Sequence, residues 1–370
     1  MNNLAEGYRA AGKMELALPL IEETFTLAKT RLGPYHPITL VSMNNLGMDN
    51  RLAGKLDQAR PLLEEAFRLM KVKLGPDHFN TLSCMANLAD CYRDMRKLDL
   101  ALPLYREGLE RAGAKFGLDN PRTLGRLQVL GAAYWSLHQL DKSVPIFEDL
   151  VKRREATLGR QHPDTLHAIA NLGVNYSSAG RLDQALPLLE EGYQASKTIP
   201  TLRWVGTDLL GGYIKADKTI RAAALAKELV ADARRALPPN SAQLAAKLAQ
   251  ITFHLLKIKA YADAEPVLQE CLTIRIKTQP DDWTTFNTQS LLGGALLGQQ
   301  KYAAAEPLLL AGYEGMKKRE KTIPLDAQAR LAEAADRLVA LYTATNKSDD
   351  LKKWQAEQAR YRQISPPQVK

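Results

Sequence analysis

The sequence predicts an all-α fold, an α–α superhelix built as a solenoid of about nine helix pairs. Three observations predict it. A 42-residue period runs through the first half of the chain. Each period holds two stretches of helical apolar periodicity. Glycine and proline fall between those stretches or near their starts.

The period is read from residues in register. Met1-Asn2-Asn3-Leu4 returns as Met43-Asn44-Asn45-Leu46, and Thr39-Leu40 as Thr81-Leu82, Thr123-Leu124 and Thr165-Leu166. Gly12 is followed at the same interval by Gly54, Arg96, His138 and Gly180. Pro19, Pro61, Pro103, Pro145 and Pro187 keep phase, and Pro266 and Pro307 repeat the same Ala-x-Pro context further on.

Within a unit the first helix is marked by Leu40, Met43, Leu46, Gly47 and Asn50 on one face. Ala53-Gly54-Lys55 then breaks the pattern as a turn. The second helix follows with Leu56, Ala59, Leu62, Leu63, Ala66 and Leu69, and Leu74-Gly75-Pro76 ends it. Glu15, Asp57, Asp99, Asp141 and Asp183 recur at the start of that helix, placed to cap free N–H groups and to complement the dipole. The seven in-phase prolines are expected in its first turn, where a missing N–H costs little, leaving none inside a helix.

Four stretches follow: regular repeats over 1–199 with a truncated first unit, a degenerate repeat over 200–237, looser repeats with a C-terminal capping helix over 238–363, and a disordered tail over 364–370. Met1 aligns with Met43, so the first unit lacks the front of its first helix. An array normally ends in a polar cap, so the sequence is expected to continue upstream of Met1.

These residues resemble the tetratricopeptide repeat family. The first-helix signature of Leu, Gly or Ala, and Tyr stands as Leu4-Ala5-Tyr8, Leu88-Ala89-Tyr92, Leu130-Gly131-Tyr134 and Leu172-Gly173-Tyr176. The second-helix pair of Ala and a large apolar residue stands as Ala59/Leu63, Ala101/Tyr105 and Ala185/Leu189. The 42-residue period, with L-G-P-x-H at 32–36 and 74–78, is similar to the kinesin light chain type. That resemblance implies a right-handed superhelix whose first helices line a peptide-binding groove.

Composition narrows the rest. An apolar fraction of 45% excludes a wholly disordered chain. Cys84, Cys91 and Cys271 are too few and too scattered for a disulfide framework or a four-ligand zinc site. The longest apolar run, Leu291 to Leu297, is far short of a membrane span, and no leader follows Met1. A soluble, cytoplasmic protein is expected, with no cofactor.

No catalytic constellation stands out, so no enzyme is expected. The string from Gly7 to Lys13 has the phosphate-loop spacing but ends in Met14, and its Gly12-Lys13 is the ordinary interhelix turn. His36, His78 and His162 are one loop position repeated, so a capping or loop-packing role outweighs a shared metal.

A partner is expected on the first helices. Asn3, Asn45, Asn87 and Asn171 form an amide series that Val129 interrupts, and amides can hold an extended backbone. Arg9, Arg51 and Arg93 form a cationic series continued by Trp135, with Gln128 beside it. Guanidinium groups favour an acidic partner, and Trp135 offers an apolar anchor. Interhelix hydrogen bonds for the asparagines, and ion pairs with Asp90 and Asp94 for the arginines, are equally natural.

The leading functional reading is a non-catalytic scaffold binding a protein or peptide segment. The alternative is a regulatory or substrate-recruiting region of a larger signalling protein, such as a kinase or nucleotide switch. Nucleic-acid binding ranks below both. The net charge of +9 sits mainly in residues 200–370, with 25 basic and 18 acidic residues against 25 and 23 in 1–199.

Overall fold

The computed structural model describes Leu4, Gly7, Tyr8, residues 14–324 and residues 327–364, with side chains as far as Tyr361. Among them are seventeen α-helices in an unbroken α–α order, two short 3-10 segments and no strand. The chain divides into two compact units, Met1–Ala195 and Ser196–Lys370.

The first unit begins with α1 (Met14–Leu32), a second helix of a repeat. Its helix pairs are α2 (Pro37–Leu52) with α3 (Leu56–Lys73), and α4 (Phe79–Asp94) with α5 (Leu98–Phe116). Next come α6 (Pro121–Ser136) with α7 (Leu140–Leu158), and α8 (Pro163–Ser178) with α9 (Leu182–Ala195). The second unit pairs α10 (Val205–Lys215) with α11 (Thr219–Ala236), and α12 (Ala242–Lys257) with α13 (Tyr261–Thr278). It ends with α14 (Trp283–Gly298), α15 (Tyr302–Lys318), α16 (Ala329–Ala344) and α17 (Ser348–Ile364). In both units each helix packs on the next in sequence. First helices also touch one another: α2 with α4, α10 with α12, α12 with α14, and α14 with α16.

The signature residues explain that packing. Leu40, Leu82, Leu124 and Leu166 are all buried, as are Leu63, Phe147, Leu189 and Leu309 on the second helices. The two helices of a pair meet at the signature glycine: a Cβ on Gly47 would stand 2.6 Å from Leu63 Cγ, and one on Gly173 2.9 Å from Leu189 Cγ. The signature tyrosine ties a repeat to the one before it. Tyr92 Oη donates to Glu64 at 2.8 Å, and Tyr176 Oη to Glu148 at 2.7 Å.

The turn inside each pair requires a left-handed residue. Gly54 and Gly180 take φ of 75° and 73°, and Arg96, His138, Asp217, Lys259, Gln300 and Asn346 follow with φ between 53° and 62°. The repeated histidines are helix caps. Nδ1 of His36, His78 and His162 accepts from the backbone N–H two residues on, at 3.2 Å in each case. Asn120 does the same with Oδ1, and Asp282 at the start of α14 likewise.

Two expectations about the second helix are corrected. Its N-cap is Lys55, Lys97 or Gln139, none with a side-chain cap bond, and Asp57, Asp99 and Asp141 sit at the second helical position. Those carboxylates complement the dipole but do not cap. The in-phase prolines lie inside the helix, with Pro61 sixth from the start of α3 and Pro103 sixth in α5. The carbonyl each proline leaves without an N–H lies four residues back, on the exposed Asp57 and Asp99. Water reaches it there, which makes proline tolerable one turn later than expected.

The front of the first repeat and residues 365–370 of the tail lie outside the described residues, together with Asn3 and Arg9. No helix among the described residues is long and apolar enough to cross a membrane.

Candidate functional site

The expected site residues fall on the first helices of the first unit. Asn45, Asn87 and Asn171 are half-buried. Asn87 Nδ2 donates to Asn44 Oδ1 on the preceding first helix at 3.0 Å, and Asn44 Nδ2 approaches Asn45 Oδ1 at 3.5 Å. The amide series is thus partly an interhelix chain. Asn171 accepts through its backbone carbonyl from Asn175, and its side-chain amide has no partner among the described residues.

The two described arginines of the cationic series share carboxylates. Arg51 Nη1 stands 2.7 Å from Asp94, and Arg93 bonds Asp90 at 2.8 Å and Asp94 at 3.0 Å. Tyr105 Oη donates to the same Asp90 at 2.6 Å, and burial together with the Asp90 charge pushes its phenol up. This knot joins α2, α4 and α5 and leaves neither guanidinium unpaired.

Gln128 and Trp135 are held apart from that knot. Gln128 Oε1 accepts from the buried Arg154 at 2.8 Å, and Arg154 also donates to the Asp164 carbonyl, so α6, α7 and α8 are fastened together. Trp135 is 40% exposed, and its Nε1 donates to Ser178 Oγ at 3.0 Å on the next first helix.

A cavity of about 330 Å³ in the first unit lies between α4 and α6 with α5 beneath. Helix α4 lines it with Ser83, Asn87 and Asp90, and α6 with Arg122, Arg126 and Val129. Leu104 and Tyr105 of α5 also line it, with Phe79 and Phe116. Val129, the break in the asparagine series, gives this repeat an apolar wall where the others carry an amide. Arg122 lies over the Phe79 ring at 4.6 Å and the Phe116 ring at 5.5 Å.

Phe79, Phe116, Arg122 and Arg126 were not among the expected site residues. For Arg126 the signal was present: its repeat position carries Ser42, Cys84 and Ala168 elsewhere, all fully buried. An arginine there breaks the pattern. For the others no such signal exists, because the cavity is made where two repeats meet.

No group of three or more His, Cys, Asp or Glu among the described residues could hold a metal ion. The cysteines are buried, and burial pushes the Cys84 thiol up to about 12, so no nucleophilic thiolate is on offer.

A family model for the tetratricopeptide repeat matches residues 1–71, 51–114 and 123–198. The chain belongs to the tetratricopeptide repeat family. Its 42-residue period and L-G-P-x-H connections resemble the kinesin light chain type of repeat in sequence. No curated protein matches it in sequence. Among solved structures, the apo form of RapI is 12% identical, with 87% of this chain and 86% of RapI covered at a TM-score of 0.63. A tetratricopeptide repeat protein from Parabacteroides merdae is 17% identical, with 80% and 96% covered at 0.50. TPR-like repeats assigned to a kinesin light chain of Podosopora anserina are 20% identical, with 66% and 98% covered at 0.39. At such identities the first two likenesses bear on the fold alone.

Proposed function

We propose that this tetratricopeptide repeat protein is a non-catalytic scaffold that binds a protein or peptide segment along its first helices. The observation that carries the reading is the cavity between α4 and α6, which opens on first helices and combines apolar walls with the half-buried amide of Asn87. Such a mixture suits an extended segment: apolar surface gives affinity, and a few polar groups fix register. Asn45 and Asn171 place further amides along the same helices at repeat spacing.

The test is selection of binders from a random dodecapeptide library on the full chain, followed by titration with Asn45→Ala, Asn87→Ala and Asn171→Ala combined. The expected result is binding weakened about tenfold or more, with thermal melting little changed. No enrichment, or equal binding by the triple variant, removes the groove reading.

A further inference from the structure

We propose that Arg122 and Arg126 form an oxyanion subsite at one end of the α4–α6 cavity, taking a carboxylate or phosphate group from a side chain of the bound segment. This rests on the reading of the first helices as a peptide site and adds the chemistry that one repeat selects.

The first argument is charge without a partner. Arg126 lines the cavity, and its one hydrogen bond among the described residues is from Nη2 to the Leu82 carbonyl at 2.9 Å. Burial lowers its pKa, and no carboxylate acts against that effect. Arg122 lines the same cavity one turn earlier on α6, stacked on two rings and with no carboxylate contact among the described residues. The one acidic residue on the cavity wall, Asp90, is occupied by Tyr105 and Arg93 and lies two helical turns along α4 from Ser83. A guanidinium with spare donors in a half-buried cleft is matched by an oxyanion, which accepts two parallel N–H bonds.

The second argument comes from the repeat. The Arg126 position needs only a small residue, as Ser42, Cys84 and Ala168 show. The arginine is accommodated by a change on the helix beneath. The positions in register with Gly108 on the neighbouring second helices are Ala66 and Leu150. A Cβ on Gly108 would stand 3.1 Å from Arg126 Nη1, so the missing side chain makes the room for the guanidinium. The degenerate half of the chain supplies a control. Lys247 occupies the equivalent place on α12, bonded to Thr207 at 2.7 Å, with the carboxylate of Asp208 acting on it. Asp208 stands where the first unit has Asn87. A cation at this position serving only structure is given its own carboxylate. Arg126 is given a neutral amide and an open cavity.

The experiment uses phenyl phosphate and phenylacetate as probes, with benzyl alcohol as the neutral comparator. Their rings suit the apolar walls, and no peptide is needed. Arginine Nε–Hε resonances of the full chain are followed in titration. Both anions should shift Arg122 and Arg126 saturably, and benzyl alcohol should not. Arg126→Ser, which installs the residue of the second repeat, and Arg122→Ser, on an exposed side chain, should each weaken anion binding about tenfold. Arg106→Ser, outside the cavity, should leave it unchanged. Preference for phenyl phosphate points to a phosphorylated residue, and parity with phenylacetate to an acidic one; either supports the subsite.

Absence of saturable anion binding, or equal binding by Arg126→Ser and Arg122→Ser, overturns the proposal. The two readings fail separately. Peptide selection that depends on the asparagines without anion binding leaves the groove and removes the subsite. Anion binding without any selected peptide does the reverse.

Discussion

At the scale of single residues, the repeat shows which positions are constrained by backbone and which by environment. The interhelix turn needs a left-handed residue whatever its side chain, and six of eight described repeats place a non-glycine there. An L side chain in that region costs about 1 kcal/mol, which glycine avoids. Arg96→Gly and His138→Gly should therefore each raise stability by about 0.5–1 kcal/mol, and Gly54→Val should lower it by about 1–2 kcal/mol. Denaturant midpoints at constant slope are the check, and a destabilised Arg96→Gly would contradict the turn argument. His254 illustrates environment instead. Burial first, then Lys257 and Lys247, hold its imidazole down to about 4. Asp208 beside Lys247 is itself pushed up by burial. The folded chain keeps His254 neutral while the unfolded chain takes a proton near 6.5, so stability is complete above 6.5 and falls as pH drops to about 4. The slope is at most about 1.4 kcal/mol per pH unit for one group. His254→Gln should flatten the fall in melting temperature between pH 7 and 4.5, and parallel curves for the two proteins would remove His254 as its source.

At the scale of elements, the first helices are started by side chains and the second helices by geometry. His36, His78, Asn120 and His162 each satisfy an orphan N–H at the N-terminus of a first helix. Helices α3, α5 and α7 begin after Lys55, Lys97 and Gln139 with no side-chain cap. Their starts are fixed by the left-handed turn just before them and by acidic residues in the first turn. His78→Ala should cost about 1 kcal/mol, and His78→Asn, the choice made at position 120, should cost little. Equal losses in the two variants would mean that the imidazole stabilises through packing rather than by accepting the Asn80 N–H. Caps of this kind are local in sequence, so the repeated histidines could be read as capping or loop-packing residues, and the bonds from the N–H two residues on make them caps. The position of proline could not be read so. A register of 42 residues gives phase between repeats but does not say where in a helix the phase begins, and one turn separates the expected and observed places.

At the scale of the whole molecule, what was legible was whatever repeats. Helix order, the glycine–leucine meeting points and the burial of Leu40, Leu82, Leu124 and Leu166 all follow from one unit copied along the chain. The cavity was not legible, because it depends on departures from the copy at Gly108, Arg126 and Val129 that converge only once two repeats pack. The amide and cationic series stand between: bonding among helices and pairing with Asp90 and Asp94 were already among their readings, and only packing shows Asn87 on Asn44 and Arg51 on Asp94. The same neighbour-to-neighbour build governs unfolding. Within each unit a helix packs on those adjacent in sequence, and α2 also meets α4, α10 α12, α12 α14 and α14 α16, so stability is a chain of local terms. Leu63 is fully buried in the meeting point of α2 and α3, within a cluster that includes Ala59, Leu88 and Cys91. Leu63→Ala removes about 2–5 kcal/mol there. Amide exchange should accelerate in α2, α3 and α4, fade through α5 and α6, and stay unchanged in α14 to α17. A uniform acceleration along all the helices would show instead that the repeats open as one cooperative body.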